Sequence, residues 1–282
     1  MTDVMPVSDT ALVTLWCRAA EARRDDALLD DPMAVRLVDS LDYDFDRFRL
    51  SADRQDLALR ALAFDTAVRD YLATHPRATV VALGEGLQTS FWRLDAAGVG
   101  HEFRWLTLDL PPIVALRRQL LPESPRVADY AGSVLDRAWM DLVDPADGVF
   151  VTAEGLLPYL EPAAALDLIG ACARHFPGGR MMFDLPPKSQ ARLAAHPRLW
   201  RLLRGEWPRT PFSLGRRERA RLAATVPGVR AVHEVPLPAG RGPLFGTLLP
   251  RTRGGPAHRP LRWWVGANWP TIASLTLLEF DA

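Results

Sequence analysis

The sequence predicts an α/β protein built on a doubly wound, mostly parallel sheet, with helices ahead of the sheet and a cap inserted late in the chain. Three observations predict this. Short apolar runs, such as residues 79–83 and 149–153, lack the in–out alternation of a half-exposed strand and read as strands covered on both faces. Helical patterns of ten or more residues separate such runs, as βαβ units require. Glycines or acidic residues stand at the end of one run after another.

In chain order, residues 8–40 read as helical, with Ala11, Leu12, Leu15 and Trp16 at helical spacing and Ser8 or Asp9 as N-cap. A second helix spans about 53–74, with Leu57, Ala61, Phe64, Val68 and Leu72 at steps of three and four, and His75-Pro76 ends it. The first strand, 79–83, runs into Gly84-Glu85-Gly86. Residues 87–94 read as a helix broken by Gly98 and Gly100, and 103–108 as a strand ending at Asp109. Pro at its start marks a helix over 111–121. Residues 126–130 read as a short strand and 149–153 as an apolar one ending at Glu154. An amphipathic helix over 161–176 closes at Pro177-Gly178-Gly179, and 180–184 is another strand. Past Pro186 the pattern loosens into a helix over 188–204, a Pro- and Arg-containing loop over 207–214, an alternating strand over 229–235 and a Gly/Pro/Arg linker over 251–260. A last strand over 274–280 pairs back into the sheet.

Composition bounds the function. The chain has 282 residues, 48% hydrophobic and 24% charged, enough for one large domain with a cap. We divide 1–282 into an N-terminal helical segment (8–75), a core sheet (79–185 and 229–282) and a cap (about 186–228). Thirty-four basic and 34 acidic side chains balance, without a basic, aromatic-interleaved patch, so no nucleic-acid partner is expected. Met1 to Trp16 has neither a basic leader nor a long apolar run, and no stretch is long enough to cross a bilayer. The expectation is a cytoplasmic protein with no membrane partner. Cys17 and Cys172 read as two buried thiols. No Cys/His or carboxylate cluster has metal-ligand spacing, so no metal is expected.

In an open α/β sheet, ligands bind at the carboxyl ends of the strands. Those ends carry Gly84 and Gly86, then Asp109, then Ser133 to Asp136, then Glu154. Glycines after the first strand let backbone approach a ligand, and the next helix offers its N-terminus. An acid at the second strand end can accept from both ribose hydroxyls, and Asp109 lies 25 residues past Gly84, near the spacing for that role. The third strand end meets the adenine edge. Thr89 stands where a dinucleotide fingerprint has its third glycine, which argues against pyrophosphate and against a nicotinamide dehydrogenase. Singly, each feature reads as a turn or a helix cap; together, at successive strand ends, they read as a site.

The motifs resemble one family. Val80-Val81-Ala82-Leu83-Gly84-Glu85-Gly86-Leu87-Gln88-Thr89, with Arg93-Leu94 after it, resembles motif I of the leucine carboxyl methyltransferases, LGxGLDT followed by RL. Leu108-Asp109-Leu110-Pro111-Pro112-Ile113-Val114, with Leu120-Leu121, is similar to their DLPxV motif, and Ala153-Glu154-Gly155-Leu156-Leu157-Pro158-Tyr159-Leu160 to EGLLMYL. Ser133-Val134-Leu135-Asp136 with Trp139-Met140-Asp141 resembles the bacterial polyketide (tetracenomycin-type) branch. The N-terminal Arg18-Ala19-Ala20-Glu21-Ala22-Arg23-Arg24-Asp25 and Asp31-Pro32 fit as well. The likeness covers roughly residues 8–185.

It implies a class I fold and S-adenosylmethionine as cofactor. Arg60, five residues before Asp65, would pair with the methionine carboxylate, which suits a bidentate guanidinium. Gly84 and Gly86 would line the methionine tail, Asp109 with Leu110 would hold the ribose, Ser133 and Val134 would meet adenine, and Glu154 would sit by the sulfonium and amino group. Four departures stand out: Gln88 replaces an Asp of motif I, Ala61-Leu62 replaces Thr-Arg, Ser133 an adenine-contacting acid (leaving Ser133, backbone or Asp136 for that contact), and Pro158 a flexible apolar residue.

The implied reaction is transfer of a methyl group to a carboxyl or hydroxyl of a small secondary metabolite, polyketide-like in class. A carboxylate acceptor needs no general base, whereas a hydroxyl does. None of His75, His101, His175, His196, His233 and His258 falls at a strand end, which favours a carboxylate or an acidified hydroxyl. Tyr159 either orients the acceptor, as the one candidate catalytic residue, or is core. Trp200, Trp207 and Phe212 either line an acceptor pocket for a flat apolar substrate or simply pack the cap. Trp263, Trp264 and Trp269 either pack the sheet edge or form a homodimer contact. The alternatives are a protein C-terminal carboxyl methyltransferase and a non-catalytic binding protein that keeps the fold, for which Gln88, Ser133 and Pro158 are the arguments.

Overall fold

A computed structural model describes residues 9–46, 48, 55–196, 198, 209–241 and 274–282. The linker over 251–260 and Trp200, Trp207, Trp263, Trp264 and Trp269 lie outside the described residues.

Among the described residues, seven strands form one sheet: β1 (Thr79–Leu83), β2 (Arg104–Asp109), β3 (Val127–Ala131), β4 (Val149–Ala153), β5 (Arg180–Leu185), β6 (Val229–Val235) and β7 (Ser274–Phe280). Their order is β3-β2-β1-β4-β5-β7-β6. The first five are parallel; β7 is antiparallel to both neighbours, with Leu185 opposite Ser274. The order reverses between β1 and β4, which sets the crevice of a doubly wound sheet there.

The unbroken apolar runs are buried on both faces, as expected. Val81 and Leu83 of β1 pack with Leu106, Leu108, Val151 and, from helix α6 (Pro162–His175), Leu168, Ile169 and Cys172. Their neighbours Val80 and Ala82 point the other way, onto Trp105, Phe150 and helices α3 (Gln55–Leu72) and α4 (Ser90–Ala96) through Phe64, Val68, Phe91 and Leu94. One pleat thus feeds two cores. A third cluster joins helix α1 (Asp9–Ala22), helix α2 (Pro32–Ser40) and helix α5 (Pro111–Leu120) through Leu12, Leu15, Leu37, Leu87, Ile113 and Leu116.

Three boundaries differ from the sequence expectation. The single helical stretch over 8–40 is two helices. Pro32 starts the second, and Asp31 caps it by accepting from the Ala34 amide at 3.0 Å. The helix expected over 87–94 begins at Ser90, because the turn that Gly84 and Gly86 make with φ of 59° and 57° runs on to Thr89. The helix after β5 spans Lys188–Ala194, and most of the rest of its expected length lies outside the described residues. Cys17 and Cys172 are free and buried.

Candidate functional site

The site begins where β1 ends. A Cβ on Gly84 would come within 2.7 Å of Leu156 Cδ1, so the turn is pressed against the segment after β4. Glu85 turns inward and is fully buried. Its Oε2 accepts from Thr107 Oγ1 at 2.6 Å and from Trp105 Nε1 at 3.3 Å, and lies 3.0 Å from Arg117 Nη2. Burial pushes the Glu85 carboxyl above its ordinary value, against the pull of Arg117. Arg117 also donates Nη1 to the carbonyls of Gly86 and Gln88, fixing the turn from α5.

Asp109, at the end of β2, faces that turn. Its Oδ2 accepts the Gly86 amide at 2.6 Å and its Oδ1 the Leu110 amide at 2.7 Å. Burial raises its carboxyl above the usual range despite these two donors. Leu110 is exposed beside it. After β3, Ser133 is exposed and its Oγ accepts from the Leu135 amide at 3.2 Å, whereas Val134 is buried. Asp136 caps the 3-10 turn over Arg137–Leu142 through the Ala138 amide and takes the Tyr130 hydroxyl at 2.9 Å, so both of its oxygens already have partners.

At the end of β4, Arg60 reaches up from α3. Its Nε donates to Glu154 Oε1 at 2.9 Å and its Nη1 to Asp184 Oδ2 at 3.0 Å. Gln88 Nε2 donates to the same Glu154 oxygen at 2.7 Å, and Asp184 Oδ1 accepts the Gly155 amide. Burial, more than Asp184 beside it, pushes the Glu154 carboxyl up while Arg60 pulls it down. The same two carboxylates, outweighing burial, hold the Arg60 guanidinium charged. Tyr159 is half-exposed on the rim, with its hydroxyl bonded to the Thr10 side chain and its pKa raised by burial.

Every residue the motifs pointed to therefore stands at the carboxyl end of the sheet, in two groups: Asp109, Leu110, Ser133 and Val134 on the β2–β3 side, and Arg60, Glu154 and Tyr159 on the β4 side, with Gly84 and Gly86 between. Asp65 does not pair with Arg60. It holds Arg93, which also reaches Asp31, itself bound to Arg18 and Thr89. This buried network ties α1 and α3 to the start of α4 beneath the site. The sequence reading missed Asp184, Glu85, Arg117 and Arg18 as site-building residues. For Asp184, Arg117 and Arg18 the one signal was a charge inside an otherwise apolar stretch, and Glu85, in a glycine turn, carried none. Phe212 packs into the core beside Leu157 and Leu222, so it supports the scaffold.

A family model, leucine carboxyl methyltransferase, matches residues 11–173, more than half of the chain. The chain belongs to that family. This methyltransferase is 31% identical over 270 residues to the tetracenomycin polyketide synthesis O-methyltransferase TcmP of Streptomyces glaucescens, covering 95% of this chain and 93% of that one. It is 30% identical over 197 residues to the S-adenosyl-L-methionine-dependent methyltransferase dpfgK of Gibberella zeae, covering 63% of this chain and 65% of that one. Its fold matches the crystal structure of a methyltransferase candidate from Thermobifida fusca YX with a TM-score of 0.52 at 20% identity, over 97% of each chain. The protein is an S-adenosylmethionine-dependent methyltransferase with the class I fold.

The residues present fit that cofactor. Each Asp109 oxygen takes one backbone amide and keeps lone-pair capacity for a ribose hydroxyl. Gly86 leaves the turn open on its exposed side, since among the described residues a Cβ there would meet only Ala11, at 3.6 Å. Arg60 commits Nε and Nη1 to carboxylates, and its Nη2 can reach a third. The departures from the family motifs are accommodated as well. Gln88 gives Glu154 a donor that an aspartate could not, and Pro158 is buried in a 3-10 turn over Leu157–Tyr159. Among the described residues no group of His, Cys, Asp and Glu could hold a metal ion, and no helix is long and apolar enough to cross a membrane.

Proposed function

We propose that this methyltransferase methylates a carboxyl or acidic hydroxyl of a small, polyketide-like acceptor in the cytoplasm. In this reading Arg60 and Glu154 hold the amino-acid end of the cofactor, Gly84 and Gly86 its tail, Asp109 with Leu110 its ribose, and Ser133 and Val134 its adenine. Tyr159 orients the acceptor, and residues from about 186 to 228 cap the acceptor side.

When bound, S-adenosylmethionine supplies an electrophilic methyl carbon. The protein's work is alignment, which in well-oriented reactions supplies about 7–11 kcal/mol of the barrier. Arg117 and Glu85 freeze the turn, and the Arg60–Glu154–Asp184 set fixes the β4 side, so the two ends of the cofactor are held by preformed geometry. A carboxylate acceptor arrives ionised, its ordinary pKa being about 4, and needs no base. Tyr159 suits a donor's part, because a phenol is protonated at neutral pH and burial raises its pKa further.

The observation that carries the reading is the placement of Arg60 and Glu154 across from Asp109 at the switch point of the sheet. The test is a transfer assay with labelled S-adenosylmethionine on paired aromatic acceptors that differ in carrying a free carboxyl, a free phenol or both blocked. Label on the carboxyl or phenol form, lost when it is blocked, supports the reading. Label only on peptide C-termini sinks it.

A further inference from the structure

The segment that leaves β6 is clasped to the start of α3. Leu237 packs on the core cluster that holds Ala63 and Phe64 of that helix. Gln55, the first residue of α3, is 2% exposed, and its side-chain amide takes both main-chain groups of Arg241. Gln55 Oε1 accepts the Arg241 amide at 2.8 Å, and Gln55 Nε2 donates to the Arg241 carbonyl at 3.0 Å. Gly240 presses on the same helix: a Cβ there would come within 2.5 Å of Gln55 Oε1 and 3.0 Å of Leu59 Cδ1. The Arg241 guanidinium reaches on to the last turn of α1, where Nη1 donates to Oε1 of the buried Glu21 at 2.7 Å and Nη2 to its Oε2. Nη1 also donates to the Asp26 carbonyl at 2.7 Å.

The first amides of a helix have no partner within it, and a helix end frays unless something outside holds it. Arg60 follows Gln55 by five residues, about 7.5 Å along the helix axis, so it stands in the second turn of α3. Its two carboxylate partners, Glu154 and Asp184, stand at the ends of β4 and β5, where the sheet fixes them. α3 packs outside the sheet and has no strand register to fix it. We propose that the Gln55–Arg241 clasp positions Arg60 for the amino-acid end of the cofactor by holding the first two turns of α3 in place. The inference rests on the cofactor reading above. Gln55 and Arg241 are positioning residues: they act on the ligand through Arg60, so their loss is felt at its amino-acid end and not at its nucleoside.

The test is calorimetric titration of the full-length protein with two ligands: S-adenosylhomocysteine, and 5′-methylthioadenosine, which keeps the adenine and ribose but carries a methyl group in place of the amino-acid chain. Gly240→Ala forces the clasp off Gln55. In that variant S-adenosylhomocysteine binds about tenfold more weakly while methylthioadenosine stays within about twofold of wild type, tenfold being about 1.4 kcal/mol. Gln55→Ala, which removes both hydrogen bonds without inserting an atom, gives the same split and decides the matter where Gly240→Ala fails to fold. A double-mutant cycle supplies a second reading: in an Arg60→Gln background, Gln55→Ala costs S-adenosylhomocysteine little further, because the contact it served is already gone. Equal losses for both ligands in the clasp variants, or losses that simply add in the double variant, overturn the proposal and leave the clasp a scaffold feature. Wild-type protein that binds neither ligand overturns the cofactor reading itself, a result distinct from any pattern among the variants.

Discussion

The Arg93 guanidinium grips the Asp65 carboxylate through two parallel hydrogen bonds, Nε to Oδ2 at 2.6 Å and Nη2 to Oδ1 at 2.9 Å. Both groups are buried, and the pair joins α3 to α4 directly beneath the glycine turn. Removing one partner of such a pair leaves a charge in the interior, so Arg93→Leu is expected to destabilise the protein by about 3–5 kcal/mol. Arg93→Lys recovers little, because an ammonium cannot reproduce the bidentate fork. Chemical denaturation followed by circular dichroism measures both.

Asp31 gives the network a pH signature. Burial pushes its carboxyl up, but Arg93, Arg18, Thr89 and the Ala34 amide together hold it below its ordinary 3.8. A group lowered on folding stabilises the native state above its unfolded value and loses that contribution as pH falls through the folded one. Stability attributable to Asp31 is therefore expected to persist down to about pH 4 and to disappear below it. Asp31→Asn flattens that acid limb in denaturation curves taken between pH 2 and 5 on the order of half-unit steps.

Gly84 and Gly98 separate two costs of the left-handed backbone. Both have positive φ, but a Cβ on Gly84 meets Leu156 at 2.7 Å, whereas one on Gly98 meets nothing within 4 Å among the described residues. Gly98→Ala is expected to cost about 1 kcal/mol from backbone strain alone. Gly84→Ala costs more, displaces Leu156 and weakens cofactor binding, which a paired melting and titration experiment resolves.

A void of ≈ 20 Å³ lies under the turn, its wall apolar through Phe64, Val68, Ala82, Leu83 and Trp105 and polar where Glu85, Gln88 and Glu154 face it. Glu85 Oε1 and Gln88 Oε1 are buried without a hydrogen-bond partner among the described residues. A void of that size with these two acceptors on its wall has room for one water. A crystal structure at high resolution is expected to show it bridging these two oxygens, and Gln88→Leu is expected to expel it.

Cys17 and Cys172 are buried, and burial pushes the Cys172 thiol up to about 12. Thiolate is the reactive form. Native protein at pH 8 is expected to resist a thiol-titrating reagent at both positions, and denatured protein to react at both.

The legible parts of this protein were those with local signatures. The unalternating runs at 79–83 and 149–153 declared strands buried on both faces, and Pro111 and Pro177-Gly178 declared helix ends. The residues at strand ends were legible because topology alone places Gly84, Asp109 and Glu154 together. The partners of Arg60 were not. Asp184 is 124 residues away, and nothing local says that β5 will lie beside β4 in the register that sets Phe183 against Ala153. Likewise Glu85 reads as one more polar residue of a turn until β2 places Thr107 and Trp105 under it. The split of residues 8–40 into two helices was signalled by Asp31-Pro32, but helical periodicity on both sides outweighed it.

The central claim is that Asp109, between the Gly86 and Leu110 amides, holds the ribose of S-adenosylmethionine. Calorimetric titration of wild-type protein and of Asp109→Ala with S-adenosylmethionine tests it most directly. Binding on the order of micromolar in the wild type, lost in a variant that keeps its fold, is the predicted result. No binding to folded wild-type protein, or binding unchanged in Asp109→Ala, would contradict it.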